Sequence, residues 1–283
     1  MSHIPAERCL SIIELLSEDA AELPLGTISE RLDLPKSGTH RLLGALLEQG
    51  WAQQDPQSGY YRLTMRLAIL GQRFYMATGL PDICQPLLDQ LAAASGEYVR
   101  LAVIDGQQLV WVAHAQGARG GLMYQPALQS DTVPLHATAS GKTWLCTLPV
   151  EQAMRIVLSS PAFGNPAAYG PGVSRSMEQV MEELRITSER GYGIAKNEAE
   201  QGVSAMAMTV HAGEAGHIVG TVSIAGPSAR LNEARFEQLL PTLTKATADI
   251  STLWPARLRK NSTSEAVAPV AATPNHHVIG SPS

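Results

Sequence analysis

Cysteine is scarce in this chain, and its scarcity excludes a fold held together by disulfides. The 283 residues include three cysteines, Cys9, Cys84 and Cys146, which are odd in number and far apart. This usage is typical of a reducing compartment rather than of a disulfide framework. We interpret the three residues as small buried apolar side chains.

The sequence also lacks long apolar runs and an excess of positive charge. No stretch reaches the roughly 18 consecutive apolar residues that mark a membrane helix. The first 25 residues carry charged side chains such as Glu7, Arg8 and Glu14, which are not typical of a secretory signal. We therefore expect a cytoplasmic protein with no membrane partner. The net charge of −5 gives no general attraction to DNA, so DNA binding would require a local basic face.

Catalytic and metal-binding arrangements are missing as well. The histidines lack the spacing of metal ligands, and no cysteine joins them: His114, His136, His211 and His217. Residues 139–143 read ASGKT, like the end of a phosphate-binding loop, but His136 replaces the first glycine of that motif. We read this segment instead as a helix start whose amides face a pocket. We predict no enzyme activity and no cofactor.

The most informative segment runs from Thr27 to Leu63 and reads as a winged helix-turn-helix. Thr27 and Glu30 form a T-x-x-E capping box, which predicts that a helix begins at Thr27. Pro35 disfavours helical geometry at Leu34, so it ends this helix and precedes a second one. Such a second helix enters the major groove of DNA in proteins of this shape.

The second helix has an apolar face and a face suited to DNA. Leucines at helical spacing predict the side that packs on the core: Leu42, Leu43, Leu46 and Leu47. Small, hydroxylic or basic residues lie opposite and suit contact with phosphates and base edges. We predict DNA contacts from Lys36, Ser37, Thr39, His40 and Arg41.

Two short strands, at 51–54 and 60–63, flank the turn residues 55–59 and complete the wing. We expect Arg62 in this wing and Lys36 of the second helix to contact DNA phosphates. From Pro35 to Arg66 there are four basic and two acidic residues, so the local charge is +2. The alternative reading is a winged helix that binds protein rather than DNA.

The flanking regions complete the predicted organisation. A helix is expected at 7–17, and another at 64–78 is apolar around much of its circumference, which predicts burial. Its expected partner is the same helix of a second subunit; the alternative is the second domain of this chain. Residues 256–283 are rich in Ala, Pro, Ser and Thr and are predicted to be disordered.

The region from Pro81 to Trp254 reads as an α+β sandwich, an antiparallel sheet with helices on one side. Strands are predicted at 98–104, 108–114, 121–124, 192–196, 203–211 and 218–224. Helices are predicted at 82–94, 138–147, 150–159, 176–190 and 232–253. The Pro- and Gly-rich residues 161–172 are predicted to form a loop.

Four segments together resemble the IclR-type family of bacterial transcription regulators. They are LPKSGTHRLLGALLEQGW (34–51), DPQSGYYRL (55–63), PLHATASGK (134–142), and RGYGIAKNEAEQGVSAMAMTV with GTVSIAGP (190–210 and 220–227). The resemblance covers Ala6 to about Trp254. It implies a winged helix-turn-helix DNA-binding domain at 1–66, a linker and dimerisation helix at 67–80, and a GAF-like effector-binding domain at 81–255.

The same resemblance implies a ligand-responsive transcription regulator. Such proteins are homodimers or tetramers that bind double-stranded operator DNA, and a small organic effector modulates that binding. The alternative function is a GAF-like metabolite sensor that acts on a protein partner. The implied effector pocket falls at Leu122, Gln125, Ala139, Ser140, Gly141, Ala195, Ala205, Ala207, Ser223 and Ala225.

The chain departs from the family pattern at three of these positions. Ala195 stands where the family often has Asp, Ala205 where it has Cys, and Ala225 where it has Ser. Methyl groups in place of larger polar groups predict a roomier, less polar pocket and a bulky effector, such as an aromatic one. Ser140, Ser223 and the amides near Gly141 remain available to a carboxylate or hydroxyl. The alternative is that other side chains, such as Met206, fill the space.

Overall fold

The structure is a computed structural model that describes residues 4–18, 22–120, 123–126, 133–213 and 216–254. The chain divides into two units, Met1–Thr78 and Gly79–Ser283. The predicted disordered tail at 256–283 and residues 121 and 122 of the predicted third strand lie outside the described residues.

The first unit is a helical bundle with a two-stranded hairpin. Its elements are α1 (Ile4–Glu18), α2 (Leu25–Arg31), α3 (Lys36–Glu48), β1 (Ala52–Gln54), β2 (Tyr61–Leu63) and α4 (Arg66–Thr78). β1 and β2 pair antiparallel around a turn in which the Asp55 carboxylate accepts hydrogen bonds from the backbone of Gln57 and Ser58. The core is apolar: Ile12, Leu15, Leu16, Ile28, Leu43, Leu46, Ala52 and Tyr61. This order of elements confirms the predicted winged helix-turn-helix.

The start of α2 differs from the capping-box prediction. The helix begins at Leu25 with Pro24 at its N-cap, so Thr27 lies inside the first turn. The reason is a contact across the fold, because Leu23 forms two backbone hydrogen bonds with Tyr61, each 2.9 Å long. This bridge holds the chain extended up to Pro24 and lets the helix begin directly after it.

The second unit is built on a five-stranded antiparallel sheet with the strand order β4-β3-β7-β6-β5. The strands are β3 (Tyr98–Asp105), β4 (Gln108–Gln116), β5 (Gly193–Lys196), β6 (Val203–His211) and β7 (Ile218–Pro227). The helices are α5 (Leu80–Ser95), α6 (Ala139–Leu145), α7 (Val150–Ser159), α8 (Met177–Arg190) and α9 (Glu233–Leu253). A short 3-10 helix, Pro166–Ala168, lies in the predicted loop.

Helices cover both faces of this sheet, which corrects the expectation of helices on one side. Ala207 of β6 packs against Ala139 of α6. The next residue, Met208, accepts a hydrogen bond from the Thr244 hydroxyl of α9. Because neighbouring side chains of a strand point to opposite faces, α6 and α9 lie on opposite sides of the sheet.

The predicted third strand at 121–124 is also corrected for the residues that can be described. Met123 and Tyr124 belong to no strand. The Tyr124 carbonyl accepts a hydrogen bond of 2.9 Å from the Gln116 side chain. A side chain at the end of β4, and not a strand ladder, therefore holds this segment.

α6 approaches its surroundings so closely that two positions require glycine. A Cβ atom at Gly141 would lie 2.1 Å from the Leu135 carbonyl oxygen, and one at Gly193 would lie 2.2 Å from Thr143 Oγ1. The Thr138 hydroxyl caps the helix by accepting a hydrogen bond of 3.1 Å from the Gly141 amide. Residues 139–143 thus form a helix start pressed onto the sheet and not a phosphate-binding loop.

We expect Gly141→Ala to destabilise the second unit by about 1–3 kcal/mol, because an added methyl group must displace the Leu135 backbone. Gly164→Ala is the matched control in the same unit, since its nearest neighbour would be the Pro161 carbonyl at an ordinary 3.5 Å. Urea unfolding followed by circular dichroism measures both. Equal unfolding midpoints for Gly141→Ala and the unmodified protein would contradict the close approach.

Candidate functional site

A cavity of about 30 Å³ lies between the start of α6 and one face of the sheet. Its walls are Arg100, Trp111, Tyr124, Thr138, Ala139, Ser140, Ala195, Ala199, Glu200, Val203, Ser204, Ala205, Ser223 and Ala225. Six of the ten predicted effector positions are among them: Ala139, Ser140, Ala195, Ala205, Ser223 and Ala225. Segments that are up to 125 residues apart (100 to 225) therefore meet at one place.

The register of the sheet explains why these residues meet. Ala195, Ala205 and Ala225 are directly paired neighbours on β5, β6 and β7, and Ala225 pairs with Tyr98 of β3. The next row on the same face is Gly193, Ala207, Ser223, Arg100 and His114. The floor of the cavity therefore changes from methyl groups on three strands to large polar and aromatic side chains on β3 and β4.

Three of the remaining predicted effector positions, Gln125, Ala207 and Gly141, do not line this cavity. Leu122 lies outside the described residues, and Gln125 is exposed. Ala207 is fully buried under α6, where it packs against Ala139. The Gly141 amide is used by the cap on Thr138, and the Leu135 carbonyl occupies the space beside its Cα. Direct contact between α6 and the sheet therefore leaves no space for a ligand at Ala207.

The cavity is smaller than the three alanines predicted, and Met206 is not the cause. Met206 shares the opposite face of β6 with Met208, which contacts α9. The large side chains that border the cavity are Arg100, Trp111 and Tyr124. The aromatic side chain of Trp111 reaches this face because the β3–β4 register shifts between Leu101 and Ala102, so that Ala102 pairs with Trp111.

Arg100 is the basic group of the cavity. Its guanidinium carbon lies 3.9 Å from the centre of the Trp111 ring and 5.6 Å from that of Tyr98. Its Nε atom is buried and has no hydrogen-bond partner among the described residues. Burial lowers the pKa of Arg100, and the nearby Tyr124, Tyr98 and Glu200 side chains oppose this effect.

Tyr124 and Ser140 are two further polar residues of the cavity wall. Burial raises the pKa of Tyr124 to about 12, with the Arg100 charge acting to lower the pKa and Glu200 acting to raise it. Ser140 is 1% exposed, and its hydroxyl has no hydrogen-bond partner among the described residues. Buried polar groups without partners are costly in proteins. Two such groups, Arg100 Nε and Ser140 Oγ, therefore indicate a place for a polar ligand.

A buried ion cluster behind the cavity was missed by sequence reasoning. Lys142 is 1% exposed, and its Nζ lies 2.6 Å from Glu198 Oε2, 3.0 Å from Glu183 Oε2 and 3.2 Å from the Ile194 carbonyl. Burial raises the pKa of Glu198, and the Lys142 charge opposes this rise. Lys142 follows Ser140 on α6, and Glu198 precedes the wall residues Ala199 and Glu200. The ion pair therefore connects two walls of the cavity.

On α3, the predicted DNA-facing residues Lys36, Ser37, His40 and Arg41 are exposed. Thr39 is fully buried instead, and its hydroxyl donates a hydrogen bond of 3.2 Å to the Pro35 carbonyl. Its position four residues before Leu43 places it on the core face of the helix. The inclusion of Thr39 among the DNA contacts is therefore corrected.

The wing residue Arg62 is exposed but already has an acidic partner. Its Nη1 lies 2.8 Å from Glu22 Oε1. The nearby Arg66 donates a hydrogen bond to the Gln49 carbonyl and lies over the Trp51 ring. Two of the basic residues counted between Pro35 and Arg66, Arg62 and Arg66, are therefore already in contact with other groups of the first unit.

α4 contains no buried residue, although its composition predicts burial. Large apolar side chains are exposed along it: Leu67, Ile69, Leu70, Phe74 and Met76. Contiguous exposed apolar surface of this kind marks an interaction site. The burial predicted for this helix is therefore not observed.

The structure describes neither a metal site nor a membrane span. Within the described ranges, no group of three or more His, Cys, Asp or Glu side chains could hold a metal ion. Among the helices that can be described, none combines the length and hydrophobicity of a bilayer crossing. Cys9, Cys84 and Cys146 are free cysteines.

Two family models match the chain, one in the N-terminal part and one in the C-terminal part. The IclR helix-turn-helix domain matches residues 5–56, and the C-terminal domain of the bacterial transcriptional regulator IclR matches residues 75–252. The HTH-type transcriptional regulator XynR of Escherichia coli (strain K12) is 30% identical over 243 residues, or 85% of this chain and 92% of that protein. The HTH-type transcriptional repressor AllR of the same strain is 28% identical over 246 residues, or 87% and 88%.

Crystal structures of IclR regulators share this fold. The regulator from Alicyclobacillus acidocaldarius has a TM-score of 0.73 at 21% identity and covers 90% of this chain and 100% of that one. An IclR homolog from Microbacterium hydrocarbonoxydans, solved in complex with 4-hydroxybenzoate, has a TM-score of 0.71 at 22% identity and covers 88% and 98%.

We expect Lys142→Met to destabilise the second unit by about 3–5 kcal/mol at neutral pH, because it leaves Glu198 buried and unpaired. The double variant Lys142→Met/Glu198→Leu should recover part of this loss, since it removes the unpaired charge. Without Lys142 the folded-state pKa of Glu198 lies further above its unfolded value, so the deficit should shrink as the pH falls between these two values. Urea unfolding at several pH values tests this; a deficit that stays constant with pH would argue against the ion pair.

Proposed function

The chain belongs to the IclR family of bacterial transcriptional regulators, and we propose that the exposed face of α3 reads its operator and the cavity beside α6 holds its effector. Members of the family are ligand-responsive, DNA-binding transcription regulators rather than enzymes, and this chain is one of them. A GAF-like sensor that acts only on a protein partner is not favoured.

The proposed DNA interface rests on the two faces of α3. Leu43 and Leu46 fix the helix on the core of the first unit, so the opposite face is free to enter a major groove. Arg41 on this face has the planar donor pair that suits a guanine edge. Ser37 and His40 lie on the same side, and Lys36 at the start of the helix suits a phosphate. Arg62 would reach a phosphate from the wing in competition with Glu22.

We propose that α4 is the dimerisation helix of the linker at 67–80. Its exposed apolar side chains are complementary to those of an identical helix, since a two-fold interface uses the same surface on both subunits. A homodimer, or a tetramer built from dimers, would present two α3 helices to two half-sites of operator DNA. Because operator DNA lies in the bacterial cytoplasm, we propose this location for the protein.

The observation that carries the effector proposal is that six of the ten effector positions implied by the resemblance line one cavity. An alanine floor with aromatic and polar walls suits a small organic effector with an apolar, for example aromatic, body. A neighbour of the same fold binds an aromatic acid, 4-hydroxybenzoate. In the effector-binding domain, proposed as GAF-like over 81–255, ligand binding would shift a population between two dimer geometries with different half-site spacing.

We expect Arg41→Ala to abolish the preference for operator DNA over scrambled DNA, because it removes a base contact. Lys36→Ala should weaken binding to all sequences alike and lower the salt slope by about one unit, because it removes one phosphate contact. Fluorescence anisotropy on DNA from upstream of the gene, over a salt series, measures both. Arg185→Ala, on the exposed face of α8, is the control. Operator binding by Arg41→Ala that equals that of the control would contradict the assignment of α3.

We expect Phe74→Glu to shift the protein from dimer to monomer, because a charge replaces a side chain that is 74% exposed on the apolar face of α4. Leu158→Glu is the matched control, as Leu158 is 62% exposed on α7. Sedimentation velocity at micromolar concentration distinguishes the two. If both variants sediment like the unmodified protein, α4 is not the dimer interface.

A further inference from the structure

We infer that Arg100 selects effectors that carry a carboxylate, and that the effector is an aromatic monocarboxylate whose ring lies on the alanine floor. This inference rests on the proposed effector site. It names the chemical class of the ligand and the residue that recognises its charge.

The first observation is the unusual environment of the Arg100 charge. Lys142 and Arg230 of the same unit each meet a glutamate at 3.0 Å or less. Arg100 forms no ion pair with any residue that the structure describes, although the Glu200 carboxylate lines the same cavity. Partial burial disfavours the charge of Arg100, so a bound anion would stabilise it.

The second observation is the direction in which Arg100 can bind. Trp111 covers one face of the guanidinium at 3.9 Å, and the Tyr124 hydroxyl interacts with its in-plane edge, so a ligand would bind at the remaining in-plane N–H groups or in place of Tyr124. Nε, one of these groups, is buried and unpartnered among the described residues. Arginine combines stacking on an aromatic face with in-plane binding of a carboxylate, often through two parallel hydrogen bonds. Stacking on Trp111 thus holds the Arg100 guanidinium in an orientation that suits a planar anion.

The third observation concerns the body of the ligand. Ala195, Ala205 and Ala225 form a continuous row of methyl groups that ends at Tyr98. Ser223 pairs with Arg100 across β3 and β7, and both residues line the cavity. The unpartnered Ser140 hydroxyl lies on the α6 wall of the same cavity. A flat apolar ring with a carboxylate at the Arg100 end matches this distribution.

The volume of the cavity adds a consequence for regulation. At about 30 Å³ it has the size of one or two water molecules, so an aromatic acid must displace part of the wall. Tyr124 belongs to no helix or strand, unlike Arg100, Trp111 and the alanines. Its hydroxyl interacts with Arg100, so an incoming carboxylate would replace Tyr124 at the guanidinium.

The test is isothermal titration calorimetry of the full chain with two probes of equal shape, benzoate and the neutral benzamide. We expect the unmodified protein to bind benzoate at least tenfold more tightly than benzamide. Arg100→Met should lose at least tenfold in benzoate affinity while its benzamide affinity changes less than threefold. Arg100→Lys keeps the charge but not the in-plane donor pair. Its affinity for benzoate should therefore fall between those of the unmodified protein and of Arg100→Met. Arg185→Met, with an exposed arginine exchanged, should bind like the unmodified protein.

The inference is overturned if Arg100→Met binds benzoate like the unmodified protein, if both probes bind equally, or if neither probe binds. If Arg100→Met has a lower melting temperature than the unmodified protein, two other measurements decide. They are the benzoate affinity of Arg100→Lys and the ratio of benzoate to benzamide affinity of the unmodified protein. The proposed function is tested separately by adding benzoate to the complex of protein and operator DNA and following release of the DNA by fluorescence anisotropy. Benzoate binding that depends on Arg100 but leaves DNA affinity unchanged would support the anchor and contradict the effector role of the cavity.

Discussion

The contact between α6 and the sheet is the constraint on which the second unit depends. Gly141 and Gly193 permit this contact, because any side chain there would overlap with Leu135, Ala139 or Thr143. Lys142, on the same helix, is buried by the contact and meets Glu198. The helix can lie so close only because glycine removes bulk and a glutamate neutralises the lysine.

This packing also determines where a ligand can bind. Directly under α6 the row that contains Ala207 is sealed, whereas the start of the helix leaves a gap beside Ser140. Arg100 and Trp111 border that gap from the other end of the sheet. The cavity therefore results from the way α6 packs on the sheet. Its polar and aromatic character comes from Arg100 on β3 and Trp111 on β4, which α6 does not cover.

Local patterns explain how much of the fold could be predicted. β6 and α7 have the predicted bounds, and α8 has the predicted cap on Ser176. Each depends on alternation, helical spacing or a capping side chain within a few residues. One prediction failed where a distant contact took part, because the Leu23–Tyr61 bridge moves the start of α2. The prediction for Thr39 failed for a local reason: its spacing of four residues from Leu43 places it on the buried face of α3, although its hydroxyl suits DNA.

By itself, the sequence determined the order of elements, the winged helix-turn-helix and the alanines of the cavity floor, since these depend on neighbouring residues or on a resemblance that spans the chain. Tertiary structure alone decided what faces those alanines. A register shift in β4 turns Trp111 toward Arg100, and strand pairing brings Ser223 beside Arg100 from 123 positions away (100 to 223). No local pattern records such pairings, because one change of register reverses the face of every side chain that follows it.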